Sequence, residues 1–203
     1  SWTAHMGETW PWRHRKAVRK EVTMRVTACL LALCLMPALA HAEPSAMCRD
    51  APPPPEPWTS WMQSGNAIAG GEAASAPRLI LGKPLAATLR PVAQVQFAAT
   101  RGKRDAKSYG GLFTLALKAP ARIGIGLSGP AWVDIVTGSV PQPSADHGHG
   151  PECSGIRKIV WFDLQPGLHT VQIADAPRRE IRIMAADAAA NRPLPPADND
   201  KDF

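Results

Sequence analysis

The feature that most constrains the fold of this chain is a series of short apolar runs between Arg78 and Met184, separated by turn signals. The runs recur about every 8–12 residues, and none shows the period of an amphipathic helix. This spacing is typical of sandwiches and barrels. The sequence therefore predicts an all-β fold: an antiparallel, jelly-roll-like β-sandwich of about seven or eight strands, forming a single domain over residues 78–184.

Alternation within the runs predicts which side chains face the core, because successive residues of a strand point to opposite faces. We expect three sets to face inward, namely Phe113, Leu115 and Leu117; Ile123, Ile125 and Leu127; and Ile156, Val160, Phe162 and Leu164. Residues 92–98 are interpreted as a further strand. Asp134 and Asp163 lie in strand-like runs, and we expect both on a solvated face.

The first 42 residues read as a leader. Residues 1–23 show no apolar period and are interpreted as an over-extended start. Residues 24–42 have the basic start, short apolar run and Ala40-His41-Ala42 motif of a signal peptide cleaved after Ala42. The apolar run is too short for a membrane anchor. We therefore expect a periplasmic or secreted protein with no transmembrane segment after cleavage.

The strongly basic composition belongs mostly to this leader. Residues 1–42 carry six of the 23 Lys and Arg and two of the 17 Asp and Glu, so the net charge of +6 falls to +2 after cleavage. Nucleic-acid binding needs a clustered basic face. The mature chain shows only the short run Arg101-Gly102-Lys103-Arg104, so we expect no nucleic-acid partner.

The two ends of the mature chain are poor in strand signals. Residues 43–77 form a Pro/Gly-rich arm, in which Pro52–Pro55 favour polyproline II. Residues 58–62 are expected to form one helical turn whose tryptophans pack as a lid, and residues 66–77 to form a linker. Residues 185–203, rich in proline and aspartate, are expected to be a disordered tail.

Cys48 and Cys153 are the two cysteines that remain after cleavage. In an oxidising compartment such a pair usually forms a disulfide. The bridge would close a loop of about a hundred residues and contribute on the order of 4–5 kcal/mol in the chain-entropy account. The alternative is a metal-ligand role for Cys153.

The stretch from Asp146 to Lys158 holds most of the chemistry-bearing side chains, and is expected to be a long loop. His147 and His149 are separated by one residue, so both can point the same way from extended backbone. Imidazole binds Fe, Cu and Zn, and Glu152 and His169 could complete a metal site if the fold brings them close. The alternative is a solvated His/Gly loop with adventitious metal affinity.

Two families share features with this stretch. The segment His147-x-His149-x3-Cys153 resembles the copper-ligand strand of copper/zinc superoxide dismutases, where two histidines precede a disulfide cysteine on a β-sandwich. The mature chain has three histidines, fewer than a two-metal dismutase site requires. The His-x-His pair followed by Glu152 also resembles the first cupin motif, and Pro166-Gly167-Leu168-His169 the second. The cupin resemblance implies a site of His147, His149, Glu152 and His169.

The mature chain as a whole resembles a group of short exported bacterial β proteins. The shared segments are Gly110-Gly111-Leu112-Phe113, Ala131-Trp132-Val133-Asp134-Ile135, His147-Gly148-His149-Gly150-Pro151-Glu152-Cys153, Ile156-Arg157-Lys158 and Leu164-Gln165-Pro166-Gly167-Leu168. Members are sometimes labelled homogentisate 1,2-dioxygenase, which is a much longer iron-dependent cupin. The resemblance implies an oxygenase-like metal site.

Two further features have a structural and a functional interpretation. Gly124-Ile125-Gly126-Leu127-Ser128-Gly129 matches G-x-G-x-x-G, but a strand-like run follows where a dinucleotide site needs a helix. We interpret it as a glycine-tolerant strand. Trp132 and Trp161 are either sheet-packing residues or platforms for a carbohydrate.

Three functional hypotheses follow from the sequence. The first is an exported, non-enzymatic β-sandwich that binds a ligand or associates with the envelope. The second is a small cupin-like metal-dependent enzyme that uses His147 and His149. The third is a carbohydrate- or peptide-binding module that uses Trp132 and Trp161.

Overall fold

The computed structural model describes residues 48–63, 65–99 and 104–190. The predicted leader and the tail from residue 191 onward lie outside these ranges. The strands of the described residues are β1 (Asn66–Ile68), β2 (Arg78–Leu79), β3 (Leu85–Thr88), β4 (Arg90–Pro91), β5 (Tyr109–Leu117), β6 (Ala121–Leu127), β7 (Trp132–Thr137), β8 (Val140–Gln142), β9 (Asp146–Gly148), β10 (Lys158–Leu164), β11 (Gly167–Ala176) and β12 (Glu180–Asp187).

The strands form two sheets, which confirms the predicted all-β sandwich. Sheet A has the order β1-β3-β12-β6-β10-β9, and sheet B the order β2-β5-β11-β7-β8, with β4 also paired to β5. The long strands pair antiparallel, whereas the short pairs β1–β3 and β2–β5 are parallel. The short strands β8 and β9 are outer strands of sheets B and A, respectively.

The main core lies between the sheets and follows the predicted alternation. The buried set includes Phe113, Leu115, Leu117, Ile123, Ile125, Leu127, Val160, Phe162 and Leu164. Ile156 was expected among them and is instead part of a second cluster. The reason is local. Strand β10 begins only at Lys158, and Gly155, the residue before Ile156, has φ +77°, which is not a strand conformation. The alternation of β10 therefore does not extend back to Ile156.

The second cluster covers the outer face of sheet A, the face turned away from sheet B. Trp58 and Trp61, from the arm, are 3% and 1% exposed, so the predicted tryptophan packing is confirmed. They pack with Ile156, Ile159 and Met184. We call residues 48–63, which cross this face, the strap.

Glycines in β6 make room for the indole rings on this face. A Cβ added to Gly126 would lie 2.7 Å from Cζ3 of Trp58, and one added to Gly124 would lie 2.7 Å from Cζ3 of Trp161. Real Cβ atoms do not approach other atoms this closely. The Gly124-x-Gly126 motif therefore lies in a strand whose glycines leave space for two indole rings, as expected for a glycine-tolerant strand.

Polar contacts and a disulfide hold the strap in place. Nη1 of Arg182 donates hydrogen bonds to the carbonyls of Trp61 and Gln63 at 3.2 and 2.7 Å. The predicted Cys48–Cys153 disulfide is present, with a sequence separation of 105 residues. The strap is thus joined both to sheet A and to the loop that precedes β10.

Residues 92–99 and 104–108, which lie between β4 and β5, pack on the outer face of sheet B. The amide of Gln172 bonds both backbone groups of Ala99, with Nε2 donating to its oxygen at 2.8 Å and Oε1 accepting from its nitrogen at 3.2 Å. Because this segment leaves the sheet, residues 92–98 are not a strand, and Val92–Gln94 form a 3-10 turn. Asp134 beside Gln172 is buried, not solvated as expected.

The boundaries differ from those expected at both ends of the domain. Residues 66–68, within the expected linker, form β1, and β12 continues to Asp187. All described residues belong to one compact unit. No helix within the described ranges has the length and apolarity needed to span a membrane.

The fit of Trp58 against β6 makes a testable prediction. Gly126→Ala should lower the free energy of unfolding by about 1–3 kcal/mol, because the buried indole has to shift from its packed position. Gly148→Ala is the matched control, since a Cβ there meets nothing within 4 Å, and it should change stability by less than about 0.5 kcal/mol. Urea denaturation measures both. Equal effects of the two substitutions would contradict the packing described here.

Candidate functional site

The two neighbouring histidines lie at an outer edge of sheet A. His147 is in β9 opposite Val160 of β10, and His149 follows the strand; both are exposed. Nδ1 of His149 is 2.9 Å from the carbonyl oxygen of Arg157. A carbonyl only accepts, so Nδ1 carries the proton and donates. In the neutral ring, Nε2 is then the nitrogen left to accept a hydrogen bond or bind a metal.

His169 is in a different environment. It lies in β11 of sheet B and is 1% exposed. Its Nδ1 is 2.7 Å from the hydroxyl of Thr137, and its Nε2 is 2.9 Å from the carbonyl oxygen of Gln165. The carbonyl requires Nε2 to donate, so Nδ1 of the neutral ring accepts from Thr137. Both ring nitrogens have partners within the protein, which makes His169 a core residue.

The four residues expected to form a metal site, His147, His149, Glu152 and His169, are not brought together. Within the described ranges, no three or more His, Cys, Asp or Glu side chains form a group that could hold a metal ion. Glu152 is exposed beside the disulfide cysteine. Metal binding by His147 and His149 alone stays a prediction.

The loop nevertheless contributes to a cavity at one end of the sandwich. The cavity has a volume of about 600 Å³. Its wall comes from the β6–β7 connection, the residue before β10, and the turn from β11 into β12. The lining residues are Ser128, Gly129, Pro130, Arg157, Ala176, Pro177, Arg178, Glu180 and Ile181.

Backbone contacts fix the part of the loop that carries Arg157. The N–H of Arg157 donates to Leu127 O at 2.8 Å, and the N–H of Gly150 donates to Ile156 O at 3.1 Å. The hydroxyl of Ser154 donates to Pro151 O at 2.6 Å. Together with the disulfide at Cys153, these bonds place the Arg157 side chain at the cavity wall.

The cavity presents two guanidinium groups and a hydroxyl. Neither Arg157 nor Arg178 makes a side-chain hydrogen bond or ion pair with another described residue. Oγ of Ser128 accepts from the N–H of Arg182 at 2.8 Å, so its own proton is available to a ligand. Glu180, the carboxylate in the wall, accepts a hydrogen bond from Thr88. The arrangement suits a carboxylate or phosphate, which guanidinium binds in a bidentate manner.

The role of these two arginines was not predicted from the sequence. Arg157 is in the segment singled out for its histidines, and Arg178 is in the tight turn Pro177-Arg178-Arg179 between the last two strands. The sequence signal that could have indicated this role is the pair of adjacent arginines, Arg178 and Arg179, in a short turn. Their proximity to Arg157 depends on three segments meeting at one end of the fold, which no local pattern reports.

The two candidate tryptophans occupy different surfaces. Trp132, in β7, is 47% exposed, and Nζ of Lys158 lies 5.5 Å from the centre of its ring. That ammonium also donates to Ala131 O at 2.7 Å. Burial lowers the pKa of Lys158, and the carboxylate of Asp134 partly offsets this. Trp161 is half-buried on the outer face of sheet A.

Neither a protein-family model nor a curated protein matches this chain. The resemblances to proteins labelled homogentisate 1,2-dioxygenase, to cupins and to superoxide dismutases therefore stay predictions.

The core position of His169 can be tested by stability. His169→Ala should lower the free energy of unfolding by about 2–4 kcal/mol, because it leaves a cavity and removes the partner of Thr137. The double variant His147→Ala/His149→Ala removes exposed rings and should cost less than about 1 kcal/mol. Thermal and urea unfolding of both variants measure these stability losses. A larger loss in the double variant would contradict the placement.

Proposed function

We propose that this protein is an exported binding protein that holds a small anionic molecule, a carboxylate or a phosphate, in the cavity at the end of the sandwich. The observation that carries the proposal is the pair of guanidinium groups, Arg157 and Arg178, in the wall of one cavity and without partners among the described residues. Two guanidinium groups in the wall of one cavity repel each other, and a bound anion relieves that repulsion.

The size and position of the cavity support this function. Ligand pockets are usually about 300–1,000 Å³, and the volume of about 600 Å³ falls within that range. The cavity is built from connections at the end of a rigid sandwich, where binding residues are commonly placed. Buried Ile181 and Ala176 provide apolar wall, which favours a ligand with a carbon skeleton.

The affinity we expect is moderate. A hydrogen bond to a charged group contributes about 1.5–3 kcal/mol, and solvent exposure of both arginines weakens it. Two such groups and a hydroxyl correspond to dissociation constants of roughly micromolar to millimolar. Binding should weaken as salt screens the arginines.

Export is supported by the disulfide. Such bridges persist in oxidising compartments, and Cys48–Cys153 joins distant parts of the described chain. The predicted signal peptide and cleavage after Ala42 complete the proposal of a periplasmic or secreted protein.

The proposal predicts that small anions bind in the cavity through Arg157 and Arg178. Isothermal titration calorimetry with citrate and with inorganic phosphate should show binding at low salt to at least one of them. Arg157→Ala and Arg178→Ala should each weaken that binding at least about fivefold, because each removes one charge-assisted contact. Arg179→Ala is the matched control: it removes the same charge from the next residue, which does not line the cavity, and should stay within about twofold.

Two results would overturn the proposal. One is the absence of binding for both anions at low salt. The other is an equal loss of affinity in Arg178→Ala and Arg179→Ala, which would mean that net charge, and not the cavity, attracts the anion.

A further inference from the structure

Trp161 has one face of its indole against the protein and also packs against a second indole ring. Three atoms of its six-membered ring, Cζ3, Cε3 and Cη2, lie 2.7–2.9 Å from the position of a Cβ on Gly124, so the ring lies against β6. Trp58 packs against it in a T-shaped arrangement, with ring centroids 5.9 Å apart and ring planes at 65°. Because Trp161 is only half-buried and one side of its ring lies against β6, its exposed surface is on the side that faces away from the sheet.

Charged side chains border this indole on the same face of sheet A. In the antiparallel register, Asp146 of β9 lies directly opposite Trp161, and Arg122 of β6 lies opposite Asp163 of β10, two residues further along. Directly opposed residues share a face, as do residues two apart on one strand. Asp146, Trp161, Asp163 and Arg122 therefore lie together on the outer surface.

Arg122 and Asp163 form a planar, doubly hydrogen-bonded pair. Nε donates to Oδ1 and Nη2 to Oδ2, each at 2.8 Å, and the two side chains are 53% and 60% exposed. The hydrogen bond from Arg122 lowers the pKa of Asp163, so the carboxylate is ionised at neutral pH. An ion pair this exposed contributes little to folding, but it presents fixed donors and acceptors to a ligand.

This combination matches the chemistry of a sugar ring. A pyranose has an apolar C–H face, which can stack on a flat indole, and a rim of hydroxyls that donate and accept hydrogen bonds. We infer that Trp161, Asp146 and the Arg122–Asp163 pair form a binding platform for a neutral sugar unit of a polysaccharide. The formal charge of the three ionised groups is −1, which disfavours an acidic sugar. An open sheet face, unlike a cavity, admits a unit within a long chain.

The platform is separate from the anion cavity. None of its four residues lines that cavity, and it does not depend on the function proposed there. Of the two tryptophans considered as carbohydrate platforms, Trp161 is the better candidate, because acidic and basic side chains border it in the strand register. Trp132, although more exposed, has the Lys158 ammonium close to its ring.

The test is affinity electrophoresis in native gels that contain hydroxyethylcellulose, xylan, mixed-linkage β-glucan or dextran, with alginate as the acidic comparison. The wild-type protein should be retarded by at least one neutral polysaccharide and not by alginate. The double variant Arg122→Gln/Asp163→Asn should lose at least about tenfold in affinity for that polysaccharide, since its amides are weaker partners than the ions. These residues are exposed, so the fold should be retained.

Variants at the tryptophans complete the design. Trp161→Phe keeps an aromatic ring in the cluster and should weaken binding severalfold through its smaller stacking surface, whereas Trp132→Ala should bind as the wild type does. Arg157→Ala should also bind normally, which separates this site from the cavity. The inference is overturned if no neutral polysaccharide retards the protein, if alginate alone does so, or if the Arg122/Asp163 double variant binds like the wild type.

Discussion

The packing of two indoles on the glycines of β6 is the constraint on which the rest of the structure depends. Because Gly124 and Gly126 carry no side chains, β6 buries apolar atoms on both faces: its isoleucines toward sheet B, and the rings of Trp58 and Trp161 on the outside. This second layer holds the strap on sheet A. The strap continues to the disulfide at Cys153, and the loop beyond it carries Arg157 to the cavity.

The two proposed sites use the sandwich in different ways. The cavity is formed by connections at one end, where three segments bring two arginines together. The platform lies on a sheet face, where strand register alone places Trp161 between Asp146 and the Arg122–Asp163 pair. A positively charged cavity suits a small anion, and an open sheet face with little net charge suits a neutral chain. The two proposed sites would therefore discriminate ligands by charge as well as by shape.

The sequence predicted the features that depend on local pattern. Alternation identified the long strands and the inward faces of β5, β6 and most of β10, and the cysteine pair indicated the disulfide. Other features depend on tertiary contacts. Asp134 is buried because a distant segment bonded to Gln172 covers it, and His169 is a core residue because Thr137 lies beside it. The short strands β1, β8 and β9 have only three residues each, too few to show alternation.

The most direct test of the anion site is an NMR titration that observes arginine side chains. In ¹H–¹⁵N spectra of the folded protein, added citrate or phosphate should shift the Nε–Hε signals of Arg157 and Arg178 along a saturating curve, while that of Arg179 moves little. This result would place the anion in the cavity. Linear shifts of all three signals, or saturating shifts confined to arginines outside the cavity wall, would contradict the account.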